Sequence, residues 1–541
     1  MSPSPPPLHR SRLAALLLAA ILAPLAVPVA ARAAGPPSSP LWAGLEPGPY
    51  AVGFQVLERR DPARPFRYPF DLDGRRRSGD LARPLQIGVW YPAQATGAAA
   101  PMWLGDYVAL MGAETDFTRA AAERARRGEA AYFAFEALRG ATAAQRQRLL
   151  ALPTAAVRDA KPAAGPFPVV LWSLGSPALY QASAEHLASH GYVVAIVPRL
   201  PPTLGPVDTS PTRADYDAKS RDLDFLLAEL GRLPFADVGN VGVTGFSAGG
   251  RWAIAEAMRN PSVRAVVSQD SVLLFGDDQG QLAAMPFYDP ERVRVPALHM
   301  IRRQWVPRET ADLWTAMRYA ERTRLIFEAP ALQHLDFASM GHAATLAGLR
   351  AAERETVAAT FRAWQTATLW FLDAALKGDA NARAHLADLP ASLGLAKGLV
   401  TAERTGAAAA PLDEQQLSEA LVDDFAAALP RVRQLLAARG GTPATERALN
   451  LAGYGLLGSG RAADGLALFV LNRETFPTSA NALDSLADGY EATGKTAEAV
   501  AASRQALELL AADSAMPAPR RDAIRQSAEG RIARLAAAKT P

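Results

Sequence analysis

The pentapeptide Gly245-Phe246-Ser247-Ala248-Gly249 sets a serine between two glycines, directly after the apolar run Val241–Thr244 and before the apolar stretch Arg251 to Met258. Such a strand–turn–helix setting holds a serine hydroxyl in a strained turn at the carboxyl edge of a sheet, where it can act as a nucleophile. Glycines on both sides let the strand and helix approach without a Cβ clash, and Gly250 adds a further small residue there. A tight structural turn would use the same glycines without any chemistry. A serine hydroxyl needs a base, which on this kind of scaffold follows it in the order Ser, acid, His.

The chain has only seven histidines, so the base can be sought by elimination. His9 belongs to the N-terminal leader, and His186 and His190 precede the serine. His299 sits inside the apolar run Ala297–Ile301 as a core residue, and His385 falls in a late helical region. His334 lies in the loop that follows the last strand-like run, where the base is expected, with His342 eight residues on as the reserve. For the acid, the penultimate strand runs into Arg302-Arg303 with no Asp close by. The preceding run, Ala265–Ser268, is followed at once by Gln269-Asp270, so Asp270 is the candidate to orient the imidazole. Asp277, Asp278 and Glu309 are the alternatives. The oxyanion hole should use the backbone N–H of Ala248 and a second N–H from the loop Leu174-Gly175-Ser176.

The elements that must position these groups alternate strand-like apolar runs with longer helical patterns, which predicts an α/β sheet. Eight strands are expected, at Tyr50–Glu58, Leu85–Tyr91, Phe167–Ser173, Tyr192–Pro198, Val241–Thr244, Ala265–Ser268, Ala297–Ile301 and Thr323–Glu328. Continuous Val/Ile runs such as Val193–Val197 suit strands buried on both faces of a mostly parallel sheet. Helices are expected at about 178–190, 213–230, 248–259, 309–321 and 353–378, giving one large domain over 41–400. Residues 102–161, rich in Ala, Arg and aromatics without a strand pattern, read as a helical insertion that covers a cleft or only decorates the surface. Residues 401–412 read as a linker.

Residues 413–541 are helical and repetitive. Gly460-Arg461 and Gly494-Lys495 lie 34 residues apart, each closing one helix and opening another, and the period resembles tetratricopeptide repeats. Gly453, Phe469 and Pro477 fall on signature positions of one unit; Leu486, Ala487, Tyr490, Ala499 and Ala506 fall on those of the next. A generic helical bundle is the alternative.

Residues 1–34 carry His9, Arg10 and Arg12, an apolar run broken by Pro24 and Pro28, and Ala31-Arg32-Ala33, as a cleavable secretory signal does. A permanent anchor would want about 20 uninterrupted apolar residues, and no other segment is long and apolar enough. Of 57 Lys+Arg, three arginines leave with the signal, so 54 basic residues face 54 acidic ones in the mature chain. No basic stripe interleaved with aromatics appears, so no nucleic-acid partner is expected. The absence of cysteine excludes a thiol nucleophile, a disulfide scaffold, a zinc–thiolate site and an iron–sulfur cluster. No phosphate-cradling or dinucleotide fingerprint and no tight metal spacing is present, so neither cofactor nor metal is expected.

Pro168–Gly175, Leu187–Ala195, Gly245–Gly250, Asp270 and His334-Leu-Asp-Phe337 together resemble plasma-type platelet-activating-factor acetylhydrolases and their bacterial relatives, which are often labelled dienelactone hydrolases. The resemblance spans roughly residues 45–375 and implies an α/β-hydrolase fold. It implies Ser247 as nucleophile, Asp270 as acid, His334 as base and the Leu174 N–H as an oxyanion donor. It also implies hydrolysis of short-acyl or phospholipid-like esters without a metal. The family usually carries a His-Gly pair in the oxyanion loop, where this chain has Trp172-Ser173-Leu174-Gly175. Dienelactone hydrolases proper use a cysteine, which this chain lacks. The expectation is an exported, periplasmic or secreted serine esterase acting on a small-molecule or lipid ester, with a repeat domain that could recruit a protein partner. The alternatives are a peptidase or amidase on the same scaffold, or a weakly active hydrolase-like binding protein.

Overall fold

Strands that are apolar on both sides need helices on both faces, and the chain satisfies them with one large mixed sheet. The computed structural model describes residues 39–71, 73–95, 100–205, 211–271, 279–308, 312–395, 398–408, 414–512 and 516–537. The expected leader lies outside the described residues. The chain divides into two compact units, Met1–Ala408 and Ala409–Pro541.

Among the described residues the first unit holds ten strands: β1 (Ala51–Pro65), β2 (Ala82–Ala93), β3 (Ala156–Arg158), β4 (Phe167–Trp172), β5 (Val193–Ile196), β6 (Ala236–Phe246), β7 (Val263–Gln269), β8 (Ala297–Arg302), β9 (Arg322–Phe327) and β10 (Val400–Thr405). Their order across the sheet is β10-β9-β8-β7-β6-β4-β5-β2-β1-β3. Strands β4 to β9 are parallel to their neighbours within that block, while β2 and β10 join it antiparallel. All eight expected strands are present, so the count of eight is corrected by two. β3 lies in the segment expected to be purely helical, and pairs with β1. β10 occupies residues assigned to the linker, and pairs with β9.

Alternate residues of the central strands feed two separate cores. Val170, Trp172, Val194 and Ile196 lie in one. Val169, Leu171, Val193 and Ala195 lie in the other. This two-sided burial is why these strands read as unbroken apolar runs rather than alternating ones. Helices Pro177–Ser189 and Arg354–Leu376 cover the first face, and Arg213–Leu230 and Gly249–Arg259 the second. The helix expected at 309–321 is short, Asp312–Ala316.

The insertion folds into helices Leu104–Met111, Ala121–Tyr132 and Ala143–Leu150 before reaching β3. Its Leu104, Tyr107, Val108 and Tyr132 are buried in the same core as Phe54, Trp90, Tyr180 and Leu187. The segment is therefore part of the packed structure and more than a surface ornament. Tyr107 donates to Glu185 Oε1 at 2.8 Å and accepts from Trp90 Nε1 at 2.9 Å, bolting the insertion to sheet and helix together.

The second unit is all-helical among the described residues, from Glu414–Asp423 to Ala518–Ala537. Gly460 and Gly494 end helices Pro443–Gly458 and Ala480–Ala492 at φ +81° and +74°, a left-handed backbone that glycine adopts without a Cβ penalty. The following N–H groups reach back in the same way, Arg461 to Leu456 O and Lys495 to Tyr490 O, both at 2.8 Å. A Cβ on Gly453 would lie 2.4 Å from the Phe469 ring, and one on Gly489 2.7 Å from it, so the two glycines make room for the aromatic between helices. No helix among the described residues is long and apolar enough to cross a membrane.

Candidate active site

Chain order reverses at β4: β5 lies on one side of it and β6 on the other, which opens a crevice at the carboxyl ends of the strands. The loop after β4 and the turn after β6 meet there. β6 ends at Phe246, and Ser247 adopts φ +56°, a strained value for a residue with a side chain. Its N–H donates to Gln269 O at 3.0 Å, so the end of β7 fixes the turn. A Cβ on Gly245 would fall 2.2 Å from the Gly249 carbonyl carbon, and one on Gly250 2.2 Å from Ser271 Oγ. Those contacts favour glycine just before the serine and where the following helix meets the end of β7.

The residues picked out by type and spacing converge. Ser247 Oγ lies 2.8 Å from His334 Nε2, and His334 Nδ1 lies 2.7 Å from Asp270 Oδ2. His334 opens a short 3₁₀ turn, His334–Phe337, and its side chain is 34% exposed, whereas that of Asp270 is 1% exposed. The imidazole is thus open to solvent while the carboxylate is shielded from it. Asp270 also has a positive φ, +41°, and its N–H donates to Met300 O at 2.6 Å.

The other candidates go elsewhere. His342 is buried in helix Ser339–Leu346 with Nε2 3.2 Å from Pro40 O. His299 is fully buried beside Ser268 Oγ at 3.0 Å, and His385 stacks on Trp370 at 4.3 Å. His186 and His190 lie together in and just after helix Pro177–Ser189. Asp277, Asp278 and Glu309 lie outside the described residues.

Leu174 and Ala248 occupy adjoining walls. A Cβ on Gly249 would lie 3.2 Å from Leu174 Cβ and 4.0 Å from Leu174 N, so the loop after β4 presses on the first turn of the helix that follows the serine. Ser173 holds that contact, its N–H donating to Thr244 O at 2.8 Å and its hydroxyl to Gly249 O at 2.7 Å. Behind the site an aromatic file runs from Trp172 through Tyr180 and Phe246 to the His334 ring, with centroids 4.6, 6.4 and 4.5 Å apart.

Three supporting groups escape a motif search. Ser173 is one. Arg302, at the end of β8, donates from Nε to Asp270 Oδ2 at 2.7 Å and from its backbone N–H to Oδ1 at 3.1 Å. The signal available in the sequence is an arginine ending a buried strand, which needs an anion nearby. The third is the Asp336–Arg350 pair, which bridges at 2.5 Å while Arg350 also donates to Ala331 O at 2.9 Å. Burial raises the Asp336 carboxyl, with Arg350 opposing it. Burial pushes Glu114 of the insertion up to about 7. Burial also lowers Lys219 to about 8. Among the described residues no group of three side chains is placed to hold a metal ion.

No protein-family model matches the chain, and no curated protein matches it. Among solved structures it is similar to a ferulic acid esterase from Streptomyces cinnamoneus, at 19% identity and a TM-score of 0.39, over 61% of this chain and 91% of that one.

Proposed function

We propose that the chain is a serine hydrolase of the α/β-hydrolase type that cleaves carboxylic esters through an acyl-enzyme. The observation that carries this reading is the unbroken line Ser247–His334–Asp270, at 2.8 and 2.7 Å, with the serine held at positive φ on a strand–turn–helix elbow. In the tautomer that donates from Nδ1 to Asp270, His334 Nε2 accepts the serine proton as Oγ bonds to the ester carbonyl carbon. The oxyanion takes hydrogen bonds from the Leu174 and Ala248 N–H groups. Collapse breaks the ester C–O bond, the leaving alkoxide takes the proton from His334, and water repeats the sequence to release the acid. No metal or cofactor enters these steps.

Short-acyl or phospholipid-like esters, export by the leader, and tetratricopeptide-like repeats that recruit a protein partner are the finer parts of the proposal. They rest on the sequence motifs, and for the repeats also on the paired glycine-closed helices. Ser247→Ala should abolish both ester turnover and labelling by a fluorophosphonate probe; labelling that persists at another serine overturns the assignment. Matched ester and amide substrates of graded acyl length would separate an esterase from an amidase, because amide cleavage needs efficient protonation of a poor leaving group.

A further inference from the structure

We infer that Arg302 is a positioning residue of this site, a brace that sets the carboxylate of Asp270 and the loop of His334 in one register; the inference rests on the serine-hydrolase reading. Arg302 stands at the carboxyl end of β8, where the chain runs on into Arg303 with no acid close by. Its guanidinium instead reaches back to the acid at the end of β7. Asp270 Oδ2 receives two donors at 2.7 Å, Arg302 Nε and the His334 ring. Oδ1 is held by the Arg302 backbone N–H at 3.1 Å. One carboxylate edge is thus clamped by a single residue, and the lone pair left on Oδ2 faces the imidazole.

The same guanidinium touches the other partner. Its Nη1 donates to Leu332 O at 3.4 Å, two residues before His334. Its carbon lies 5.2 Å from the centre of the Trp305 ring, which stands 6.1 Å from the imidazole ring. Arg302 therefore links the acid, the histidine loop and an aromatic wall, three elements otherwise separated along the chain. The side chains of Arg302 and Asp270 are 10% and 1% exposed, so water does not replace the clamp. Asp270 sits at a strained backbone angle, φ +41°, that surrounding contacts must hold, and with the Arg302 donors gone its carboxylate is free to turn from the imidazole.

A buried ion pair can also serve stability alone, so the test is a double-mutant cycle on turnover. Hydrolysis of p-nitrophenyl acetate and the rate of fluorophosphonate labelling would be measured for the full chain, Arg302→Met, Asp270→Ala and the double variant. Arg302→Met should lower kcat about 10–100-fold with KM within about twofold, and in the Asp270→Ala background should cost less than about twofold. Arg302→Lys, which keeps the charge and one donor, should regain about tenfold over the methionine variant. An equal loss in both backgrounds, or an unchanged kcat, overturns the inference. Circular dichroism checks each variant; if the methionine protein does not fold, Arg302→Gln, which also removes the charge, carries the same cycle with the same overturning results. Failure of the unaltered protein to label at Ser247 would instead overturn the hydrolase reading itself.

Discussion

Glu185 offers a sharp quantitative test of how the insertion is held. Its carboxylate is fully buried on helix Pro177–Ser189, the helix that leads away from the Leu174 loop. Oε1 accepts from Tyr107 at 2.8 Å, and Oε2 accepts from the Ala155 N–H at 2.9 Å and Trp42 Nε1 at 3.3 Å. Burial raises its pKa to about 7, with these hydrogen bonds opposing. Below pH 4.5 the native and unfolded chains both carry the proton, and the group adds nothing to pH dependence. Between 4.5 and 7 the unfolded chain releases the proton while the native one retains it, so stability falls as pH rises. The displacement is worth about 3 kcal/mol by pH 8.

Glu185→Gln has no proton to lose. Its amide oxygen can accept from Ala155 and Trp42, while its NH₂ must face Tyr107, whose oxygen already accepts from Trp90. The variant should therefore be less stable than the parent at pH 4.5 and improve relative to it by about 3 kcal/mol at pH 8. Urea unfolding followed by tryptophan fluorescence measures this directly, since all nine tryptophans precede residue 409 and report on the first unit alone. Other titrating groups, such as Glu114, are common to both proteins and cancel in the difference. A difference constant within about 0.5 kcal/mol across the two pH values would refute the assignment of a neutral, buried Glu185.

Gly250→Ala would set a methyl 2.2 Å from Ser271 Oγ and 2.7 Å from Ser268 Oγ, so the helix behind the serine must shift. A loss of about 1–3 kcal/mol in thermal unfolding is expected, with slower fluorophosphonate labelling of Ser247. Arg350→Met would strand the fully buried Asp336 with the Gln333 N–H, at 2.8 Å, as its remaining donor. That should cost about 3–5 kcal/mol and loosen the His334 loop, seen as a lower melting temperature and lower kcat.

Much of the site was legible because its chemistry is tied to local signals. The serine announces itself through glycines that a strained turn requires; a Cβ on Gly245 or Gly250 would fall 2.2 Å from another atom, and one on Gly249 3.1 Å from Ser173 Oγ. The histidine emerged because only seven exist and one follows the last parallel strand. Asp270 is marked by its place just after a strand end. β3 and β10 were missed for a common reason: each lies at an edge of the sheet. β3 has three residues, too few to show a period, and β10, exposed over most of its length, carries the polar sequence Thr401-Ala-Glu-Arg-Thr405.

The sequence by itself therefore carried the alternation of elements, the glycine-flanked turn and the helical character of the second unit, which depend on neighbours a few residues away, and its scarcity of histidine singled out His334 as the partner that the structure sets beside Ser247 and Asp270. Only the tertiary structure decided which groups support them. Ser173 is 76 residues from Gly249, and Arg302 is 32 from Asp270 and 30 from Leu332. Glu185 gathers donors from residues 42, 107 and 155. Contacts of that kind follow from strand order and register, which bring distant side chains to one sheet edge, and no local pattern encodes them.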